Sequence, residues 1–135
     1  GTTIGGGTND IELTPQPGTG TPIQVTFEKV FFDFDSAKIK NSEYVKIEDV
    51  AKFMSGNPRT YAVLEGHCDE RGTGEYNITL GERRADAVRT HLLGLKVDTT
   101  RVFPKSLGEE KPADPGHTEE AWRANRRVEF ILYRR

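Results

Sequence analysis

The chain has 135 residues, enough for one domain with a single hydrophobic core. Its formal net charge of −2 gives no electrostatic basis for nucleic-acid binding, and it has no apolar run of the roughly 18 residues that a transmembrane helix needs. Cys68 is the single cysteine, which excludes a disulfide within the chain.

The first 22 residues are mostly glycine, threonine and proline, with almost no large apolar side chain. Such a segment cannot bury enough apolar surface to offset the entropy lost on ordering. We therefore predict a flexible linker over residues 1–22 and one folded domain over residues 23–135. Whether the linker tethers the domain to something upstream or is a terminal extension without a role stays open.

The first predicted element is a strand over residues 23–34, where β-branched and aromatic residues dominate. Alternation places Phe32 and Phe34 on one face and Asp33 and Asp35 on the other. Carboxylates at the end of a strand face the loops rather than the core.

A helix is expected next, capped by Asn41 or Ser42 and ended by Gly56 and Pro58. A second strand follows over residues 61–65. Apolar residues at helical spacing predict the buried face of this helix: Tyr44, Ile47, Val50, Ala51 and Met54.

The second predicted helix begins near Tyr76 or Asn77, after a polar loop that contains two glycines. Arg84 lies beside its buried seam, with Leu80 and Asn77 one and two turns before it on the same flank. The seam itself follows steps of three and four residues: Gly81, Ala85, Val88, Leu92 and Leu95.

A third strand is predicted over residues 101–107, where Pro104 indicates an edge strand or an irregularity. Thr118 caps a short third helix. A final strand over residues 127–133 points Val128, Phe130 and Leu132 inward. The order is β-α-β-α-β-α-β, an α/β (α+β) arrangement.

Catalysis and metal binding have weak support in this sequence. Asp33 with Asp35, or Asp69 with Glu70, are candidate acid–base pairs, but paired carboxylates are common on loops. No GxSxG motif occurs. The run HCDE over residues 67–70 holds four ligand-type residues, yet consecutive extended residues point to opposite sides and cannot close one tetrahedral site. We expect no enzyme activity, no metal and no cofactor.

Recognition of a small charged ligand fits the pattern better. Asp69 follows a strand and precedes a glycine-bearing loop, and Arg84 lies on the helix after that loop. Arginine binds carboxylates through a planar fork, and aspartate accepts hydrogen bonds from an ammonium group. Two accounts stay open: a clamp for a zwitterion, and an internal Asp69–Arg84 salt bridge, which spacing alone favours.

The segment EGHCDERGTGEYNITLGERRADAV, residues 65–88, resembles the signature of the OmpA-like peptidoglycan-binding domain, and within it the peptidoglycan-associated lipoprotein (Pal) branch. The resemblance extends to VFFDFDS upstream and to SLGEEKP and ANRRVEF downstream, so it covers about four-fifths of the chain. It implies a two-layer sandwich in which a mixed four-stranded sheet packs on helices.

The resemblance implies noncovalent binding of peptidoglycan through the meso-diaminopimelate of its stem peptide. Asp69 would meet the side-chain ammonium of that residue, and Arg84 would hold its carboxylate. The other implied ligand-binding residues come from the loop after the first strand and from the second helix: Phe34, Asp35, Ser36, Asn77 and Leu80.

The same resemblance implies a Pal-type lipoprotein at the periplasmic face of the outer membrane of a Gram-negative bacterium. Membrane attachment would come only from an N-terminal lipid anchor that this chain does not contain, and the periplasmic Tol propeller protein is a possible partner. A peptidoglycan-anchoring module of a larger protein, such as a porin or flagellar stator, and a wall-active hydrolase are the alternatives.

Overall fold

A computed structural model describes residues 20–135 of the chain. The predicted linker lies outside the described residues except for its last three positions. Two of these, Thr21 and Pro22, pair antiparallel with Arg134 and Tyr133. The division into linker and domain therefore stays a prediction. The sheet includes Thr21 and Pro22, which we had assigned to the linker.

The described residues begin with two short strands, after which helices and strands alternate. The elements are β1 Thr21–Pro22, β2 Val30–Phe31, α1 Tyr44–Gly56 after a 3₁₀ turn Asn41–Glu43, β3 Thr60–His67, α2 Gly74–Gly94, β4 Val102–Gly108 after a 3₁₀ turn Thr99–Arg101, α3 Glu119–Asn125 and β5 Arg127–Arg134.

The sheet is mixed, as the resemblance implied, but it has five strands within residues 20–135 where four were expected. Its order is β1–β5–β3–β4, and β2 pairs with β5 on the same edge as β1. Strands β3 and β4 are parallel, whereas β5 is antiparallel to β1, β2 and β3. His67 lies opposite both Gly108 and Arg127, and Thr60 lies opposite Arg134. The carboxyl ends of β2, β3 and β4 therefore meet at one end of the sheet.

The predicted first strand is much shorter than expected. Only Val30–Phe31 are paired as a strand, and Phe34 is 55% exposed instead of buried beside Phe32. The chain turns away at Asp35, which has a φ of 52°, and the turn is closed by a hydrogen bond from Ser36 N to Asp33 O of 3.3 Å. Apolar and acidic residues keep alternating through this turn, so the sequence pattern alone predicted a strand that is too long.

Helix α1 buries four residues of the predicted face, Ile47, Val50, Ala51 and Met54, whereas Tyr44 is only half-buried against the core. The predicted cap is wrong, because no side chain of Asn41 or Ser42 caps the helix and a 3₁₀ turn precedes it instead. Glu43, just before the helix, stabilises this end instead. Its Oε1 accepts a hydrogen bond of 2.8 Å from Phe31 N, which ties the start of α1 to β2.

Helix α2 begins at Gly74, two residues before the prediction, because the Thr73 side chain accepts a hydrogen bond from Tyr76 N. It lies directly on β3 through a glycine contact. A Cβ atom on Gly66 would be 1.9 Å from Gly81 O. Leu95 follows the helix and is 36% exposed, so it does not complete the predicted buried seam.

The remaining element predictions are confirmed. Strand β4, which contains Pro104, lies at the edge of the sheet. Thr118 caps α3 by accepting a hydrogen bond of 3.2 Å from Ala121 N. In β5, Val128, Phe130 and Leu132 are buried in the core. No helix within residues 20–135 is long and apolar enough to cross a membrane.

Candidate ligand-binding site

A pocket of about 210 Å³ opens at the end of the sheet where β2, β3 and β4 finish. Its walls come from the β2–α1 loop, the β3–α2 loop and the first turns of α2. The lining residues are Phe34, Asp35, Cys68, Asp69, Arg71, Gly72, Tyr76, Asn77, Leu80 and Arg84. Six of the seven predicted site residues are among them.

Ser36 is the predicted residue that does not line the pocket. Its backbone carbonyl instead accepts a hydrogen bond of 2.8 Å from Arg84 Nε. Ser36 therefore contributes by holding the guanidinium of Arg84 in place.

Arg84 is 1% exposed and is held by backbone carbonyls from two loops. Besides the bond to Ser36, Nη1 donates to His67 O at 2.9 Å and Nη2 donates to Asp33 O at 3.1 Å. Burial lowers the pKa of Arg84 from its usual value. Because a guanidinium carries five N–H donors, two of its donors remain beyond these three bonds.

No ion pair joins Asp69 and Arg84 in the described part of the chain. The internal salt bridge that spacing favoured is therefore not formed. Among residues 20–135 no carboxylate lies within ion-pair distance of the Arg84 guanidinium, and its hydrogen bonds go to backbone carbonyls. A buried cation of this kind favours an anion at the pocket floor.

Asp69, which is 4% exposed, is paired with two arginines that the sequence interpretation did not assign to the pocket. Its Oδ1 accepts from Arg71 N and Nε at 3.0 and 3.2 Å, and its Oδ2 accepts from Arg71 Nη2 at 2.9 Å. Arg126 Nη1 lies 3.5 Å from the same Oδ2. Burial alone would raise the pKa of Asp69, but these hydrogen bonds hold it below its usual range.

Asn77 joins the pocket loop to the segment that follows β4. Its side-chain amide donates to Arg71 O at 3.1 Å and to Glu109 Oε1 at 2.7 Å. Glu109 follows β4 and was not predicted as a site residue. The spacing of polar residues along the chain carries no signal for a contact between positions 32 residues apart.

The β2–α1 loop closes one side of the pocket through two contacts. The Tyr76 hydroxyl donates a hydrogen bond to Asp35 Oδ1. Farther out, the Arg71 guanidinium lies between two aromatic rings, 4.1 Å from the centroid of Phe34 and 4.1 Å from that of Trp122. The predicted loop residues Phe34 and Asp35 are thus fixed by α2 and by the β3–α2 loop.

Cys68 is buried, and its thiol also borders the pocket. Its Sγ donates to Asn77 O at 3.2 Å. Burial raises the pKa of Cys68 to about 11, so the thiol is protonated at neutral pH. Within residues 20–135, no group of three or more His, Cys, Asp or Glu side chains is placed to hold a metal ion.

Comparison with known proteins places this arrangement in a family context. Residues 31–126 match the OmpA family. A peptidoglycan-associated lipoprotein of Pasteurella multocida is 49% identical over 107 residues, which is 78% of this chain and 71% of that protein. One from Haemophilus influenzae is 47% identical over 107 residues, 78% of this chain and 69% of that protein.

Two solved structures share the fold of this chain. The peptidoglycan-associated lipoprotein of Burkholderia pseudomallei superposes with a TM-score of 0.75 at 38% identity, over 77% of this chain and 88% of that one. The C-terminal domain of Helicobacter pylori MotB superposes with a TM-score of 0.74 at 23% identity, over 80% of this chain and 85% of that one. The second likeness is one of fold alone.

Proposed function

The chain belongs to the OmpA family, and from this membership and the pocket we propose that it binds peptidoglycan noncovalently through the meso-diaminopimelate of the stem peptide. Its relatives are named peptidoglycan-associated lipoproteins. By the same reasoning it anchors the outer membrane to the cell wall from the periplasmic side. On resemblance alone, the periplasmic Tol propeller protein is a further partner.

The observation that carries this proposal is the buried Arg84. It is 1% exposed, lines the pocket and has no carboxylate partner in the described residues. A carboxylate of the ligand supplies the missing anion and accepts hydrogen bonds from the two remaining N–H groups of Arg84. Charge-assisted bonds of this kind are roughly twice as strong as neutral ones.

Asp69 supplies the opposite charge in the same pocket. The bonds that lower its pKa keep it ionised at neutral pH, so it can accept from an ammonium group. Diaminopimelate carries an ammonium and a carboxylate on the same side-chain carbon. Two opposite charges in one small pocket match that pair, and neither charge alone would select it.

Calorimetry with three stem peptides tests the proposal. The first contains meso-diaminopimelate, the second contains lysine and so lacks the side-chain carboxylate, and the third contains 2-aminopimelate and so lacks the side-chain ammonium. We expect the first to bind most tightly. Loss of the side-chain carboxylate should weaken binding by about 2 kcal/mol or more, because buried Arg84 is then left without an anion. Loss of the ammonium should weaken binding less, because Arg71 and Arg126 still pair with Asp69.

Two matched pairs of variants give the controls. Asp69→Asn and Arg84→Lys alter the pocket charges, whereas Asp86→Asn and Arg83→Lys alter exposed positions of α2. We expect the first pair to lose the preference for diaminopimelate and the second pair to keep it. Equal affinity of wild type and Asp69→Asn for the diaminopimelate peptide would contradict the proposal.

Purified sacculi distinguish binding from hydrolysis. We expect the protein to sediment with sacculi and to release no soluble glycan or peptide fragments. Release of fragments would replace the binding proposal with a wall-active hydrolase.

A further inference from the structure

The Asp69 carboxylate already receives four hydrogen bonds from the protein. Three come from the backbone N, Nε and Nη2 of Arg71, and one comes from Nη1 of Arg126. The two oxygens of a carboxylate offer about four acceptor positions. An ammonium group that binds Asp69 must therefore displace at least one of these donors.

The side chain of Arg71 is the donor that can leave. Its backbone N is fixed by the chain. The Arg126 side chain is only 6% exposed and also donates to Phe32 O at 2.9 Å. The Arg71 side chain is 32% exposed and reaches solvent beside the pocket.

We propose that the Arg71 guanidinium is an internal competitor for the ammonium group of the ligand. It occupies Asp69 until an ammonium replaces it, and it stays in place when a ligand offers only a carboxylate. This inference rests on the proposed function and deepens it by making Arg71 a specificity-determining residue of the same pocket.

The competition has a consequence for selectivity. Exchanging one cation for another at Asp69 gives little net gain, so a ligand with an ammonium alone gains little from displacing Arg71. A ligand that also places a carboxylate against Arg84 gains a second charge-assisted contact. Occupation of Asp69 by Arg71 thus disfavours ligands that carry an ammonium without a carboxylate.

The neighbours of Arg71 provide a direct readout. Its guanidinium lies against the ring of Trp122 at 4.1 Å from the centroid, and Trp122 is the single tryptophan of the chain. Departure of Arg71 removes a cation from one face of that ring. Tryptophan fluorescence of the unmodified protein therefore reports the movement.

The first experiment follows Trp122 emission during titration with two stem peptides, one with meso-diaminopimelate and one with 2-aminopimelate. We expect saturation with the diaminopimelate peptide to change the emission, and saturation with the aminopimelate peptide to leave it unchanged. The same emission with both peptides would overturn the inference.

The second experiment compares wild type with Arg71→Gln. The variant should bind the diaminopimelate peptide more tightly, on the order of three- to tenfold, because no competitor has to be displaced. Its affinity for the aminopimelate peptide should change less than about twofold, since Arg71 is not displaced by that ligand. Arg83→Gln, at an exposed position of α2, should change neither affinity.

The inference would be overturned if Arg71→Gln lowers the affinity for the diaminopimelate peptide. It would also be overturned if the substitution changes the affinity for both peptides by the same factor. If Arg71→Gln does not fold, the wild-type fluorescence titration decides alone. Failure of the proposed function looks different: wild type would then show no preference for diaminopimelate over lysine and no dependence on Asp69.

Discussion

Arg84 is a buried charge whose partners are backbone carbonyls rather than a carboxylate. The three carbonyls belong to Asp33, Ser36 and His67, so one side chain joins the β2–α1 loop to the end of β3. Carbonyl dipoles orient the guanidinium without cancelling its charge. The same residue therefore has a structural role and a proposed binding role.

Replacing Arg84 with lysine separates geometry from charge. A lysine keeps the positive charge, but its single ammonium cannot reach three carbonyls that surround a planar fork. We expect Arg84→Lys to lower the free energy of unfolding by about 2 to 3 kcal/mol, measured by urea denaturation. Arg83→Lys on the exposed side of α2 should change it by less than about 0.5 kcal/mol. Equal stability of the two variants would refute the structural role.

Asp69 gives a prediction for pH dependence. Its pKa is lower in the folded protein than in the unfolded chain, so ionised Asp69 stabilises the fold. This contribution is fully present at neutral pH and is lost as the pH falls below about 4 toward the folded pKa. The difference in unfolding free energy between wild type and Asp69→Asn should therefore be larger at pH 7 than at pH 3. A difference that grows on acidification would contradict this assignment.

Among the elements, α2 and the loop between β3 and α2 carry most of the pocket, and the close approach of α2 to β3 depends on glycine. A Cβ on Gly81 would lie 2.2 Å from Ser106 Oγ and 2.9 Å from Gly66 O. Because Asp69 follows β3 and Arg84 lies on α2, the distance between these elements also sets the separation of the two charges.

Gly81→Ala should therefore be strongly destabilising, by roughly 3 kcal/mol or more, because an added methyl group forces the helix away from the sheet. Gly94→Ala is the matched control on the same helix, since within residues 20–135 no atom outside the adjoining helix backbone lies within 4 Å of its Cβ position. That control should be neutral or stabilising by up to about 1 kcal/mol. Thermal unfolding of the two variants measures the contrast, and similar melting temperatures would count against close packing.

Local pattern predicted the elements better than their ends or contacts. The periodic faces of α1 and β5 follow from residue spacing, so Ile47 and Phe130 were assigned to the core correctly. The turn at Asp35 was missed because it depends on a positive φ and on distant packing. Spacing also paired Asp69 with Arg84, whereas the sheet brings Arg126 within reach of Asp69 from 57 positions away.

For the whole molecule, the two ends of the described chain lie together and away from the pocket. Thr21 pairs with Arg134, and Arg135 N donates to Arg59 O at 2.9 Å. The pocket lies beyond His67, at the opposite end of β3. With a rise of about 3.3 Å per residue, β3 spans about 23 Å between them.

A protein fused after Arg135 should therefore leave ligand binding unchanged. We expect the affinity for the diaminopimelate stem peptide to stay within about twofold of the unfused protein, because the fusion lies far from every pocket residue. Calorimetry on both forms measures this. A loss of binding on fusion would mean that the pocket end and the terminal end are not independent.

The opposite placement of the pocket and Gly20 also determines how the domain would carry mechanical force. Under the proposed function, the wall pulls at Asp69 and Arg84 while the preceding chain pulls at Gly20. That tension runs parallel to β1, β3 and β5, across hydrogen bonds that lie perpendicular to the strands. The paired strands are loaded in shear, so many bonds resist together, whereas a tether attached at the pocket end would peel them apart one at a time.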